Sequence, residues 1–443
     1  LMSVVSQAEQ ILDRVRAAGA EGDLIIDQGE ALSLKAKDGA LEEHKVTSSQ
    51  VFGLRVIKDN RVGTAYSEAA DGESLVALVD QALLNASYAA VEAHEKILAN
   101  ALKLETQDAQ LSPIDQATVA EKIELALTIE ARLAAKPMVK NVPYNGVQDS
   151  VGERRVYSTT GLEARSKARM MHCYAYALIE SGDKNAMEGI GQAARRFVEL
   201  DPDRLVDQAY QNTFDILQGA AIPSGKYDVI FDEEILPSLF NVFSMMFSGK
   251  SAKDGVNPMR DKLGEEIADS KLTVRDLPLD TDGFGYALFD DEGTPAQALC
   301  LIKEGALSSL IHNSMTASYF NSASTGHGTR GPRSTLGVGL HQLEIDAGTA
   351  DDAALHAGAY LVVTDLTGLH SGANPISGEF SFGASGYLCR DGVRVQPVRG
   401  ITVAGNFYEL LKRIALIGSE QHWNWARSAK MPSIRFADLS VSG

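Results

Sequence analysis

An α+β fold in two domains is what three features of this 443-residue chain predict. Strand-like alternation and helical periodicity both occur, without the regular strand-helix-strand rhythm of a doubly wound parallel sheet. The length exceeds what a single hydrophobic core usually serves. Glycine and hairpin signals also thicken in the second half. The expected architecture is an N-terminal domain over 1–220, built of helices with an antiparallel sheet, and a C-terminal domain over 221–443. The latter is expected to be glycine-rich and antiparallel, with flanking helices.

The first element is a helix, because Ala8, Ile11, Leu12 and Val15 repeat at helical spacing and Gly19 offers a stop. A meander follows over 31–37, 50–57 and 61–67, broken by turn residues at Asp38-Gly39 and Lys58-Asp59-Asn60. Helical patterning returns near 73–89 and 116–135, and strands near 154–158 and 169–180. Asp201-Pro202-Asp203 suits a helix start, and the short Pro/Ser/Gly stretch 220–226 marks the domain boundary ahead of an apolar strand at Tyr227–Phe231. Hairpin signals then stand at Lys303-Glu304-Gly305 and Arg390-Asp391-Gly392, with a late helix expected at 407–416. No solenoid period is present.

Composition excludes several classes. A net charge of −18 and no local Lys/Arg cluster argue against nucleic acid as a direct ligand. No apolar run is long enough to span a membrane, and charge appears within ten residues of the N-terminus, so neither a span nor a signal peptide is expected and the chain is placed in the cytoplasm. Cys173, Cys300 and Cys389 form no C-x-x-C pair and are expected as buried thiols.

Motifs that tempt fail on context. Gly326–Gly331 fits G-x-G-x-x-G, yet no strand precedes it and Pro332 stands where a helix should open. Gly189–Ala194 has a polar upstream flank, and Gly249-Lys250-Ser251 ends a helical pattern instead of starting one. No G-x-S-x-G is present, and the nine histidines never pair at helical ligand spacing. His327 and His370 lie in glycine-rich loops, and His370 and Asn374 share a polar loop after the apolar strand 359–365. These three are the candidate cleft residues. Asp290-Asp291-Glu292-Gly293 could line a cation or peptide-amine site, but its residue types already specify a solvated turn.

Four segments then resemble one family. Asp290–Pro295, Ser324–Gly328, Ser377–Gly386 and Ile401–Asn406 occur in an order and spacing similar to those of the TldD/PmbA (TldE) family, long labelled modulators of DNA gyrase. The resemblance is strong over 225–420 and weaker over the N-terminal half. It implies a TldD-type zinc metallopeptidase with H-E-x-x-x-H on a helix and a cysteine ligand near the C-terminus, working as a heteromer with TldE/PmbA on peptides. Here the three motif positions fall on Phe240, Asn241 and Met245, and no cysteine stands near Trp423–Arg427. Phenylalanine offers no lone pair, a thioether is a poor partner for zinc, and an amide cannot accept and return a proton. Leu236, Leu239, Phe240, Phe243 and Phe247 form an apolar stripe, so the helix reads as core.

The resemblance therefore implies a chain of the PmbA/TldE type, without a metal or catalytic residues of its own, joined to a TldD-like partner that brings zinc, or to a second copy of itself. An extended peptide is the implied substrate. The segment Leu366–Ser377 departs from the usual PmbA/TldE pattern, which suggests a separate branch. A self-sufficient hydrolase using His327 or His370, and a homomeric peptide-binding module, are the competing readings.

Overall fold

The computed structural model describes residues 3–443. Its N-terminal half is one seven-stranded sheet, in the order β3-β2-β1-β5-β6-β4 with β7 on β6. The strands are β1 (Glu21–Lys37), β2 (Ala40–Lys58), β3 (Arg61–Ser67), β4 (Lys103–Glu105), β5 (Val139–Ser158), β6 (Glu163–Ser181) and β7 (Lys184–Ala194). Helices α1 (Val4–Ala17), α2 (Gly72–Tyr88), α3 (Asp108–Leu111), α4 (Val119–Ala134) and α5 (Pro202–Leu217) accompany it. Asp201 caps α5 through the Arg204 N–H, with Pro202 in the first turn.

Several strands are longer than alternation alone predicted, because the hairpin turns hold them in register. Asp38 and Gly39, and Asp59 and Asn60, all have positive φ, the conformation a two-residue hairpin needs to match strand twist. The period of two then assigns each face. Leu24, Ile26 and Leu34 point to the helices, with α1 and α2 over one end of the strands and α4 and α5 over the other. Asp23, Ile25 and Asp27 point the other way, toward the C-terminal half, where Ile25 packs with Phe289.

The C-terminal half holds a ten-stranded sheet, ordered β11-β10-β9-β14-β19-β17-β16-β15-β8, with β18 on β19. Its strands are β8 (Gly225–Phe231), β9 (Val274–Asp276), β10 (Leu299–Lys303), β11 (Ala306–Leu307), then, after the small hairpin β12 (Gly328–Thr329) and β13 (Gly337–Val338), β14 (Leu343–Ile345), β15 (Ala359–Thr367), β16 (Glu379–Arg390), β17 (Val393–Asn406), β18 (Ile414–Trp423) and β19 (Ala429–Ser442). Most pairings are antiparallel, but β14 with β19 and β15 with β8 are parallel, so the sheet is mixed. Helices α6 (Ile235–Val242), α7 (Gly249–Lys253), α8 (Ser314–Tyr319), α9 (Asp352–Leu355) and α10 (Phe407–Leu410) complete the list. Val229, Phe231, Leu361 and Val363 face the main core with α6, whereas Ile230 and Val362 face the opposite side.

Three local expectations change. The late helix stops at Leu410, and Ile414 opens a strand paired to Phe436, since its apolar spacing serves either structure. The stripe 236–247 is not one helix: α6 ends at Val242, and a 3-10 turn over Ser244–Phe247 carries Met246 and Phe247 into the same core. Cys173 and Cys389 are buried, but Cys300 is only partly so.

Candidate functional site

The three positions that the resemblance assigns to the zinc motif sit where α6 meets the core. Phe240 has no exposure and packs edge-on to Phe407, with ring centroids 5.3 Å apart. Phe243 stacks on the same Phe407 ring at 4.6 Å. Asn241 points to solvent, and Met245 lies beyond the helix end in the 3-10 turn. The three side chains do not converge on a point and present no imidazole, thiolate or carboxylate. These residues do not fit a zinc ion.

One group among the described residues has a metal-ligand donor set: Asp276, His327 and His341. Each donor already has work. His327 Nε2 lies 2.6 Å from Asp276 Oδ2, and its Nδ1 lies 2.8 Å from Thr325 Oγ1. The other Asp276 oxygen accepts the Gln342 N–H, and His341 Nε2 reaches the Gly326 carbonyl at 2.8 Å. Asp276 and His327 are fully buried, so His327 is a post inside the fold, away from any cleft. His370 is exposed on the β15–β16 loop. Asn374 closes that loop by accepting the Ile376 and Ser377 N–H groups. The structure does not bring His327 together with the other two.

The acidic turn is the larger correction. Asp290 and Glu292 are 1% and 3% exposed, so the turn is buried against the N-terminal sheet and not solvated. Opposite it, register pairs Asp23 with Arg55 and Asp27 with Arg154. Arg154 then reaches Asp291 at 2.6 Å, and Arg330 reaches Asp23 at 2.9 Å, tying the halves together. Burial, reinforced by Glu292, pushes the Asp290 carboxyl up to about 8. Burial also raises Asp23, but Arg55 and Arg330 outweigh it and hold that carboxyl below its usual range.

A cavity of about 710 Å³ opens elsewhere along the same junction. One wall is β7, from Glu188 to Ala193, with α5; the other is the outer side of β8 and β15, the link into α6, and the 422–427 segment. Asp232 ends the strand and accepts the Glu234 and Ile235 N–H groups at 3.0 Å each, which starts α6. Glu234 accepts the Trp425 N–H at 2.8 Å. Burial pushes Glu188 up to about 8, with Asp365 adding to it. Asp232 and Glu234 rise to about 7, again by burial, against the pull of those N–H donors. Asp365 is raised by burial. Sequence reasoning passed over these four carboxyl groups, although three acids in a row at Asp232-Glu233-Glu234, between an apolar strand and an apolar helix, were a visible signal.

Comparison with known proteins covers nearly the whole chain. Residues 224–443 match the PmbA/TldA metallopeptidase C-terminal domain, 112–215 its central domain and 22–86 its domain 1. The metalloprotease PmbA of Escherichia coli is 25% identical over 442 residues, covering 95% of this chain and 94% of that one. A metalloprotease of Archaeoglobus fulgidus is 24% identical, covering 87% and 89%. A Thermotoga maritima protein described as a modulator of a DNA gyrase superposes with a TM-score of 0.88 at 24% identity, covering 99% and 100%. TldE from Thermococcus kodakarensis gives 0.85 at 22% identity, covering 98% of each. With three domain matches in chain order and the same fold throughout, the chain belongs to the PmbA/TldD metallopeptidase family.

Proposed function

We propose that this chain is a PmbA/TldE-like, non-catalytic subunit of a TldD-type zinc metallopeptidase acting in cytoplasmic peptide processing and proteolysis. The observation that carries the reading is α6: where the family motif needs two imidazoles and a carboxylate, Phe240 fills an aromatic stack, Asn241 faces solvent and Met245 leaves the helix. In this reading the partner brings the zinc and the general base. This chain supplies structure and peptide-binding surface. The gyrase label of the relatives is then indirect, since an acidic chain repels a phosphate backbone.

Affinity capture from the native lysate, with metal quantified in the captured complex and in the purified chain, tests the proposal. The expected result is a TldD-like partner carrying zinc and none on this chain alone. A second reading, a self-sufficient metalloenzyme, draws on the Asp276, His327 and His341 donor set. Full burial of two of its members argues against substrate access. Stoichiometric zinc lost in His327→Asn, together with peptidase activity of the lone chain, would establish that reading and overturn the first.

A further inference from the structure

We propose that the cavity between β7 and the outer face of the C-terminal sheet binds an alkylammonium group, carried either by a free polyamine or by the lysine side chain of a peptide. The inference goes beyond the subunit reading, because it concerns the side of the C-terminal sheet opposite α6 and stands whether or not a partner binds.

The first argument is shape. At about 710 Å³ the space falls in the range that encloses small ligands, and strands of both sheets form part of its wall. The second is charge. Five carboxyl groups and three guanidinium groups line it. Arg394 is stacked 3.7 Å over the Tyr387 ring and 3.6 Å from Asp215, Arg427 lies over the Phe284 ring, and Arg204 favours the charged form of Glu234. Glu188 and Asp365 line the cavity from different sheets and disfavour each other's charge, while Arg399 favours the charged form of Glu188. Neither makes an ion pair among the described residues. Two carboxyl groups facing one partly dry space favour a cation there.

The third argument selects the cation. Tyr176, Trp423 and Trp425 line the same space, and aromatic faces add to carboxylates in holding ammonium groups. The ligating atoms do not converge as a metal would need, since the described carboxyl groups here form no set of the kind seen at Asp276. The alkyl stem of an amine would lie along Ile190, Ile216 and Val362.

Burial pushes Glu188 up to about 8, and the groups facing that carboxyl are Tyr176 on β6, Asp365 on β15 and Arg399 on β17. Affinity for an amine therefore rises with pH while the amine stays charged.

The chain has two tryptophans, Trp423 and Trp425, and both line the cavity, so intrinsic fluorescence reads the site directly. The experiment titrates the full chain at pH 8 and physiological salt with spermidine in one arm and a lysine-rich peptide in the other, with a diol of matching length as the neutral control. The expected result is a saturable emission change at one ligand per chain in at least one arm, none with the diol, and tenfold or greater weakening in Glu188→Gln and Asp365→Asn. Response to spermidine alone assigns the site to free polyamines, and response to the peptide alone assigns it to lysine side chains. No saturable response in either arm overturns the proposal, as does an equal response to the diol or undiminished binding in the double variant. Should the variants fail to fold, the wild-type chain decides: no saturable response at pH 8 in either arm, or an equal response to the diol, refutes the site.

Discussion

Asp23→Asn tests how the two halves are held together. The Asp23 carboxylate is 2% exposed and accepts from Arg55 Nε at 3.0 Å and Arg330 Nη2 at 2.9 Å, with Arg55 Nη2 on its second oxygen. Replacing one oxygen by an NH₂ turns a donor toward donors, and it leaves two buried guanidinium groups short of a counter-charge. Arg330 already has Nε and Nη1 without partners, so it has no reserve. Breaking a buried pair by removing one member costs roughly 3–5 kcal/mol. If all 443 residues unfold together, an unfolding entropy of about 2.1 cal/mol/K per residue makes this a Tm loss of about 3–5 °C. If residues 1–194 unfold first as a unit, the same energy lowers that transition by about 7–12 °C. Calorimetry distinguishes the two, with Arg333→Ala as the comparator, since its pair with Glu68 is half exposed and is worth under about 1 kcal/mol. A Tm unchanged within about 1 °C in Asp23→Asn would refute the reasoning.

Three further outcomes are expected. Gly328→Ala places a methyl 2.9 Å from Glu292 Oε1 and 3.0 Å from Asp290 Oδ2, both buried, and should lower stability in urea melts by about 1–3 kcal/mol. For pH, Glu188, Asp232 and Glu234 have folded values raised to about 8, 7 and 7, above ordinary carboxyl values, so the stability from their neutral forms is full below pH of about 4 and is lost as pH rises through the folded values. Thermal melts across pH 5 to 9 should show that decline, shallower in Glu188→Gln. Finally, the triple change Phe240→His, Asn241→Glu and Met245→His should bind no zinc by equilibrium dialysis and should destabilise the chain by roughly 3–5 kcal/mol through loss of the Phe407 contact.

What could be read from the sequence was whatever short-range chemistry decides. Asp38-Gly39, Asp59-Asn60, Glu304-Gly305 and Asp391-Gly392 all take positive φ, and each hairpin stood where those residues predicted it. The Asp201-Pro202 start of α5 held for the same reason. Asp290–Gly293 was misread because a tight turn has the same local chemistry in water and in a junction. What buries it is Arg55 and Arg154, from strands far away in sequence. Ile414 was assigned to a helix because two apolar neighbours followed by a third do not separate helix from strand, and the pairing with Phe436 decides it. The cavity was invisible for a deeper reason: Glu188 and Asp365 become neighbours only when two independently built sheets meet.

The two faces of the C-terminal sheet carry different kinds of residue. Phe240 belongs to the side of the C-terminal sheet that packs α6 and α10, where every added hydrocarbon contributes to one continuous core. The carboxyl groups of Glu188, Asp232 and Asp365 line the cavity, and Asp232 also caps the start of α6. The metal analysis reads Phe240, Asn241 and Met245, whereas the cavity titration reads Glu188 and Asp365, so the two experiments report on different residues.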